Sequence, residues 1–135
     1  MHNAIEVIRD GQTILAYIIR VRGRPTHTTF YTDDDASMQV GHIVYAAGQE
    51  IQRHLHLPIE RHLRGTGEVL IVQHGRCEVD VYADDRRLIR TCPLEQGDVV
   101  ISLAGGHGFR LLEDTVLLEV KQGPYPGVEA VKTRF

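Results

Sequence analysis

An all-β domain is predicted by three observations. Short apolar-alternating segments recur every 8–12 residues, glycine and aspartate turn signals separate them, and no segment keeps a helical period over three turns. The chain has 135 residues, enough for one domain with a single core. AIEVIRD and TILAYIIRVR flank Gly11-Gln12 and predict an N-terminal hairpin. GRPTHTTFYTDDDAS is polar and turn-rich and reads as a loop or arm. MQVGHIVYAAG alternates, and EIQRHLHL continues it as a strand.

Further strands are expected in EVLIVQHG, RCEVDVYADD, RLIRTCPL, DVVISLAGG, GFRLLED and TVLLEVKQG. Their β-branched residues suit a pleated surface. Parity makes Leu70 and Val72 share the inward face of Glu68, and Phe109 and Leu111 that of His107, beneath a largely apolar cavity. GPYPGVEAVKTRF, with two prolines, is expected to wrap the surface or a partner subunit. The whole reads as one domain: hairpin and loop over 1–37, core over 38–121, tail over 122–135.

Bulk composition excludes several classes. Apolar residues make up 42% and charged residues 24%, and the net charge is -3 with pI near 6.2. Such a chain has no general attraction to nucleic acid or anionic membrane. It shows no membrane-spanning run and no signal-peptide h-region, which makes the cytoplasm the expected compartment. Cys77 and Cys92 are expected as buried free thiols, directly opposite each other if Asp84-Asp85 forms a two-residue turn. GxSxG and P-loop patterns are absent.

The chemistry concentrates in GQEIQRHLHLPIERHLRGTG, Gly48 to Gly67, and in GDVVISLAGGHGF, Gly97 to Phe109. His54 and His56 on a strand would project to one face about 7 Å apart. With His107 and a carboxylate they form a donor set suited to a divalent transition metal. Glu60 serves as carboxylate if Pro58 bends the chain, since four residues of straight strand span about 13 Å. Glu68 is the alternative, and His62 could replace either. His2, His27, His42 and His74 are read as surface or hydrogen-bonded residues.

These motifs resemble those of the cupins. Gly48, His54, His56, Glu60 and Gly67 match the spacing of the first cupin motif. Gly97, Gly105 and His107 follow the second imperfectly, with Leu103 for proline and Leu111 where asparagine is usual. Glu68-VLIVQH-Gly75 reproduces the strand that a cupin ligand glutamate opens. The resemblance spans residues 38–121. It implies a double-stranded β-helix, or jelly-roll, barrel holding one metal on His54, His56, His107 and Glu60 or Glu68. Iron, manganese, nickel and zinc all accept such ligands. The pocket would bind a small organic acid or sugar-type molecule, with Arg61 and Phe109 against it.

EVKQGPY, residues 119–125, resembles the ending of small cupins linked to bacterial surface-polysaccharide and sugar-nucleotide pathways. That implies a second reading, a metal-independent epimerase or isomerase with His54 or His107 as base and Arg61 and Arg110 near a diphosphate. A third is a non-catalytic binding or accessory protein. Homodimerisation is expected through the N-terminal hairpin and outer sheet.

Overall fold

The computed structural model describes residues 4–135 and is all-β apart from one helical turn. Strands β1 (Ile5–Asp10) and β2 (Thr13–Ile19) form the expected hairpin around Gly11, whose φ of 58° suits glycine. They are followed by β3 (Thr29–Phe30), β4 (Gly41–His42), β5 (Glu68–His74), β6 (Cys77–Tyr82) and β7 (Leu88–Leu94). β8 (Val99–Ser102), β9 (Gly106–Leu111), β10 (Val116–Lys121) and α1 (Val128–Val131) complete the order.

Two compact units result, one of residues 1–24 and 65–135, the other of residues 25–64. In the first, two antiparallel sheets have the orders β1-β2-β8-β5-β10 and β7-β6-β9. Ile8, Leu15, Ile18, Leu70, Val72 and Val100 of the larger sheet share one core with Cys77, Val79, Val81, Cys92 and Leu94 of the smaller. Alternation puts these residues on one face of each sheet, except that Leu15 joins them at the bulge of β2 against β1, so the sheets bury them against each other as a sandwich. Each fully buried Val, Leu or Ile contributes roughly 1.5–3 kcal/mol of apolar transfer. The two sheets do not join into a closed ring of strands among the described residues.

Parity read from sequence holds for Leu70, Val72 and Phe109 but not for Leu111, which is 60% exposed at the end of β9. Glu68, Leu70 and Val72 are buried together, and His107 and Phe109 oppose the core residues Val81 and Val79 across β9 and β6. The cysteines are both free and buried, as expected. They are not opposite each other: Cys77 pairs with Leu94 and Cys92 with Val79. The reason is a five-residue connection, Ala83–Arg87, preceded by a register shift after Val81.

The second unit has little regular structure. β3 and β4 form its two-stranded ladder, and Tyr31 Oη meets His42 Nδ1 at 2.8 Å. The strand expected in EIQRHLHL does not form, because residues 51–64 make no strand pairing. Pro58 lacks a backbone donor for a ladder, and the flanking side chains are exposed.

Candidate functional site

Within the sandwich unit, a polar cluster interrupts the apolar interior at one end. Antiparallel register aligns Ala16 with Ser102, Ser102 with Glu68, and Glu68 with Lys121, across β2, β8, β5 and β10. Ser102, Glu68 and Lys121 are therefore adjacent on the inner face of one sheet. His107 comes from the opposite sheet. Only the Leu103–Gly105 connection separates β8 from β9, so Ser102 and His107 are close in sequence while lying on different layers.

That crossing depends on Gly105. Its φ is +68°, and a Cβ there would collide with the carbonyl oxygen of Tyr82. Leu103 and Ala104 both donate backbone N–H groups to the Leu15 carbonyl, at 2.9 and 3.2 Å, fixing the turn to β2.

Both nitrogens of His107 are engaged. Nε2 lies 3.1 Å from Glu68 Oε2, and Nδ1 lies 3.1 Å from Ser102 Oγ. An ionised Glu68 accepts from Nε2–H, which leaves Nδ1 to accept the Ser102 hydroxyl proton. When the ring is protonated, Nδ1–H donates to Ser102 Oγ instead. Glu68 and Ser102 are each 7% exposed, so the hydrogen bonds form in a largely dry environment that strengthens them. Phe109 meets the imidazole edge-on with ring centroids 5.8 Å apart and packs against the core.

The other sequence-derived residues lie in the 25–64 unit. His54 and His56 are exposed, their rings in edge-to-face contact at 5.2 Å, and His54 Nδ1 is 2.8 Å from the Gln52 carbonyl oxygen. Glu60, Arg61 and His62 are exposed on the same irregular segment. Arg110, considered for a diphosphate, is paired with Asp80 and Glu78 on the face of β9 opposite to that of His107.

The donor chemistry of His107 and Glu68 suits a transition metal. Nε2 and Oε2 are 3.1 Å apart, and an imidazole nitrogen beside a carboxylate oxygen is a donor pair that such an ion accepts. Within neither unit, among the described residues, do three His, Cys, Asp or Glu side chains form such a group. Ser102 and Lys121 were not singled out by sequence reading. Only the register of strands distant in sequence aligns them with Glu68.

A second feature of this unit is a cleft of about 520 Å³ lined by Glu6, Arg20, Arg76, Cys77 and Asp98, among others. Its arginines are matched by carboxylates: Arg20 with Glu6 and Asp98, Arg22 with Glu95, Arg76 with Glu113. Burial raises the thiol pKa of Cys77 and Cys92, which keeps both in the unreactive protonated form.

No helix among the described residues is long and apolar enough to cross a membrane. Compared with known proteins, the chain matches no family model, no curated protein and no solved structure.

Proposed function

We propose that this chain is a small-molecule-binding jelly-roll protein of the cupin type, with one divalent transition metal held by His107 and Glu68. The observation that carries this reading is the 3.1 Å approach of His107 Nε2 to Glu68 Oε2 at the polar end of an apolar sandwich. Glu68 is preferred to Glu60 as the carboxylate because it meets His107. Iron, manganese, nickel and zinc are the candidates. When bound, such an ion would polarise a ligand oxygen or bring oxygen chemistry, according to its identity. Ser102 would then accept Nδ1–H and hold the imidazole in its ligating orientation.

Elemental analysis of tag-free protein purified without chelator tests this directly. The expected result is near one first-row metal per chain in the wild type and a loss of several-fold or more in His107→Ala and Glu68→Gln. Unchanged content in both variants would defeat the proposal.

A second reading rests on the Glu68 contact. A carboxylate accepting from Nε2–H makes Nδ1 the basic nitrogen. A ligand that displaces Ser102 Oγ from it would meet a general base, as in metal-free isomerisation or epimerisation of a sugar-type ligand. Protein that contains no metal and refuses added metal, yet binds ligand in a His107-dependent way, would favour it. We also propose homodimerisation, supported by exposed Val116, Leu118 and Val120 on edge strand β10. Gel filtration with light scattering should give twice the chain mass, and a monomer at micromolar concentration would contradict it.

A further inference from the structure

Glu68 faces a second recess besides its contact with His107. A small cavity of about 50 Å³ is lined by Glu68, Lys121, Gln122, Tyr125 and Lys132, all in the sandwich unit. Two lysine residues thus line a recess together with a buried glutamate whose partner is a histidine. Lys121 is the cross-strand neighbour of Glu68, yet the two do not form an ion pair. Glu68 turns to His107. Lys121 Nζ instead stands 5.3 Å from the centre of the Tyr125 ring and 3.9 Å from Glu119, at the outer limit of an ion pair.

A lysine ammonium has three donors, and its side chain here is 29% exposed. Neither a ring face nor a carboxylate at 3.9 Å gives those donors a short hydrogen bond. An oxyanion in the recess would. Lys132 doubles the positive charge, and Gln122 adds an amide, although its Oε1 already accepts from the Gly67 N–H at 2.8 Å.

We infer that Lys121 and Lys132 bind the carboxylate group of a small organic acid, held beside the Glu68–His107 pair. The inference rests on the ligand-binding role proposed above but not on the metal. It gives the ligand a polarity: the anionic end enters the lysine recess and the rest of the molecule lies towards Glu68 and His107. A cavity this small admits a group of a few heavy atoms, which fits a carboxylate at the end of a larger molecule. Glu68 also lines the recess, so the two lysines must offset its charge for an acid to bind there.

The test is calorimetric titration of metal-stripped full-length protein with acetate, lactate and malonate, with neutral malonamide as the control. At least one acid should saturate the protein in the millimolar range or below, and malonamide should not. Lys121→Met should weaken that acid by roughly tenfold or more, the range for a hydrogen bond to a charged group. Lys132→Met should weaken it several-fold, and Lys121→Arg should retain part of the affinity. Each variant is first checked for an unchanged unfolding midpoint, and Lys132→Met at its exposed position carries the test if Lys121→Met is unstable.

Absence of saturation by all three acids overturns the inference, as does equal binding by folded Lys121→Met and Lys132→Met. Inorganic phosphate binding more tightly with the same lysine dependence would overturn the carboxylate assignment. Metal content of the lysine variants separates this idea from the metal reading. A wild type without metal that still binds acid through Lys121 removes the metal and leaves the lysine recess standing.

Discussion

Two buried carboxylates lie at opposite ends of β8, and their surroundings differ in kind. Asp98, just before the strand, is fully buried and saturated. It accepts from the Val21 N–H at 2.9 Å, the Glu95 N–H at 3.0 Å and Arg20 Nη1 at 3.0 Å. Arg20 in turn binds the Pro93 carbonyl and Glu6, so Asp98 ties the ends of β2 and β7 to the start of β8. Glu68, level with the far end of the strand, has a titratable imidazole as its partner and a lysine beside it that turns elsewhere. Asp98 is built to hold chains together. Glu68 has a single side-chain partner, carried on the opposite sheet.

The sharpest break of this contrast is a pair of substitutions. Asp98→Ala removes a fully buried carboxylate, leaves the Val21 and Glu95 N–H groups without their acceptor and takes one of Arg20's partners, so it should cost about 3–5 kcal/mol in urea unfolding. Glu68→Gln keeps a hydrogen-bonding group beside His107 and should cost about 1 kcal/mol, while lowering metal or ligand binding several-fold. Equal stability losses would erase the distinction drawn here.

A smaller effect concerns the backbone that delivers His107. Gly105→Ala combines a left-handed conformation with a collision at the Tyr82 carbonyl, and should cost about 2–3 kcal/mol. Gly65→Ala, at φ +83° but with open space around its Cβ, should cost only about 1–2 kcal/mol. Thermal melts of the two variants compare strain with and without crowding.

Acid titration separates the ends further. The hydrogen bond from Arg20, helped by Arg90, holds the Glu6 carboxyl below its usual 4.5. A depressed carboxylate contributes its stability in full above the unfolded value and loses it as pH falls through the folded one. Wild-type stability should therefore decline below about pH 4.5 more steeply than that of Glu6→Gln. Parallel pH profiles would show that the Arg20 cluster gives no such support.

The smallest effect is on thiol chemistry. With their pKa values raised by burial, Cys77 and Cys92 should react with a thiol reagent only slowly under native conditions and at once in denaturant. Fast native labelling would mean that the core between the layers opens more readily than the packing suggests.

Much of the sandwich was legible because strand alternation and glycine turns are local signals. In EVLIVQH, parity with Glu68 picks out the buried Leu70 and Val72, whereas TILAYII and DVVIS are apolar on both faces and name no inward side. The partnership of Cys77 and Cys92 was misread because loop length and a bulge set register, and neither is fixed by the apolar pattern. EIQRHLHL alternates well enough to pass for a strand, yet alternation cannot supply a pairing partner. In the candidate site, His107 and Glu68 stood out by residue type and motif spacing. Ser102 and Lys121 did not, because they meet Glu68 only through pairing with β8 and β10, thirty to fifty residues along the chain.

The short crossing from Ser102 to Gly106 has one more consequence. His107 rides on the small sheet, while Ser102 and Glu68 ride on the large one. The imidazole therefore spans the seam between the two layers and acts as a strain gauge for the sandwich. If the sheets part, both of its hydrogen bonds lengthen together, because Glu68 and Ser102 ride on the same sheet. The nitrogen chemical shifts of this one side chain would register that movement, turning the breathing of a whole domain into a signal from a single residue.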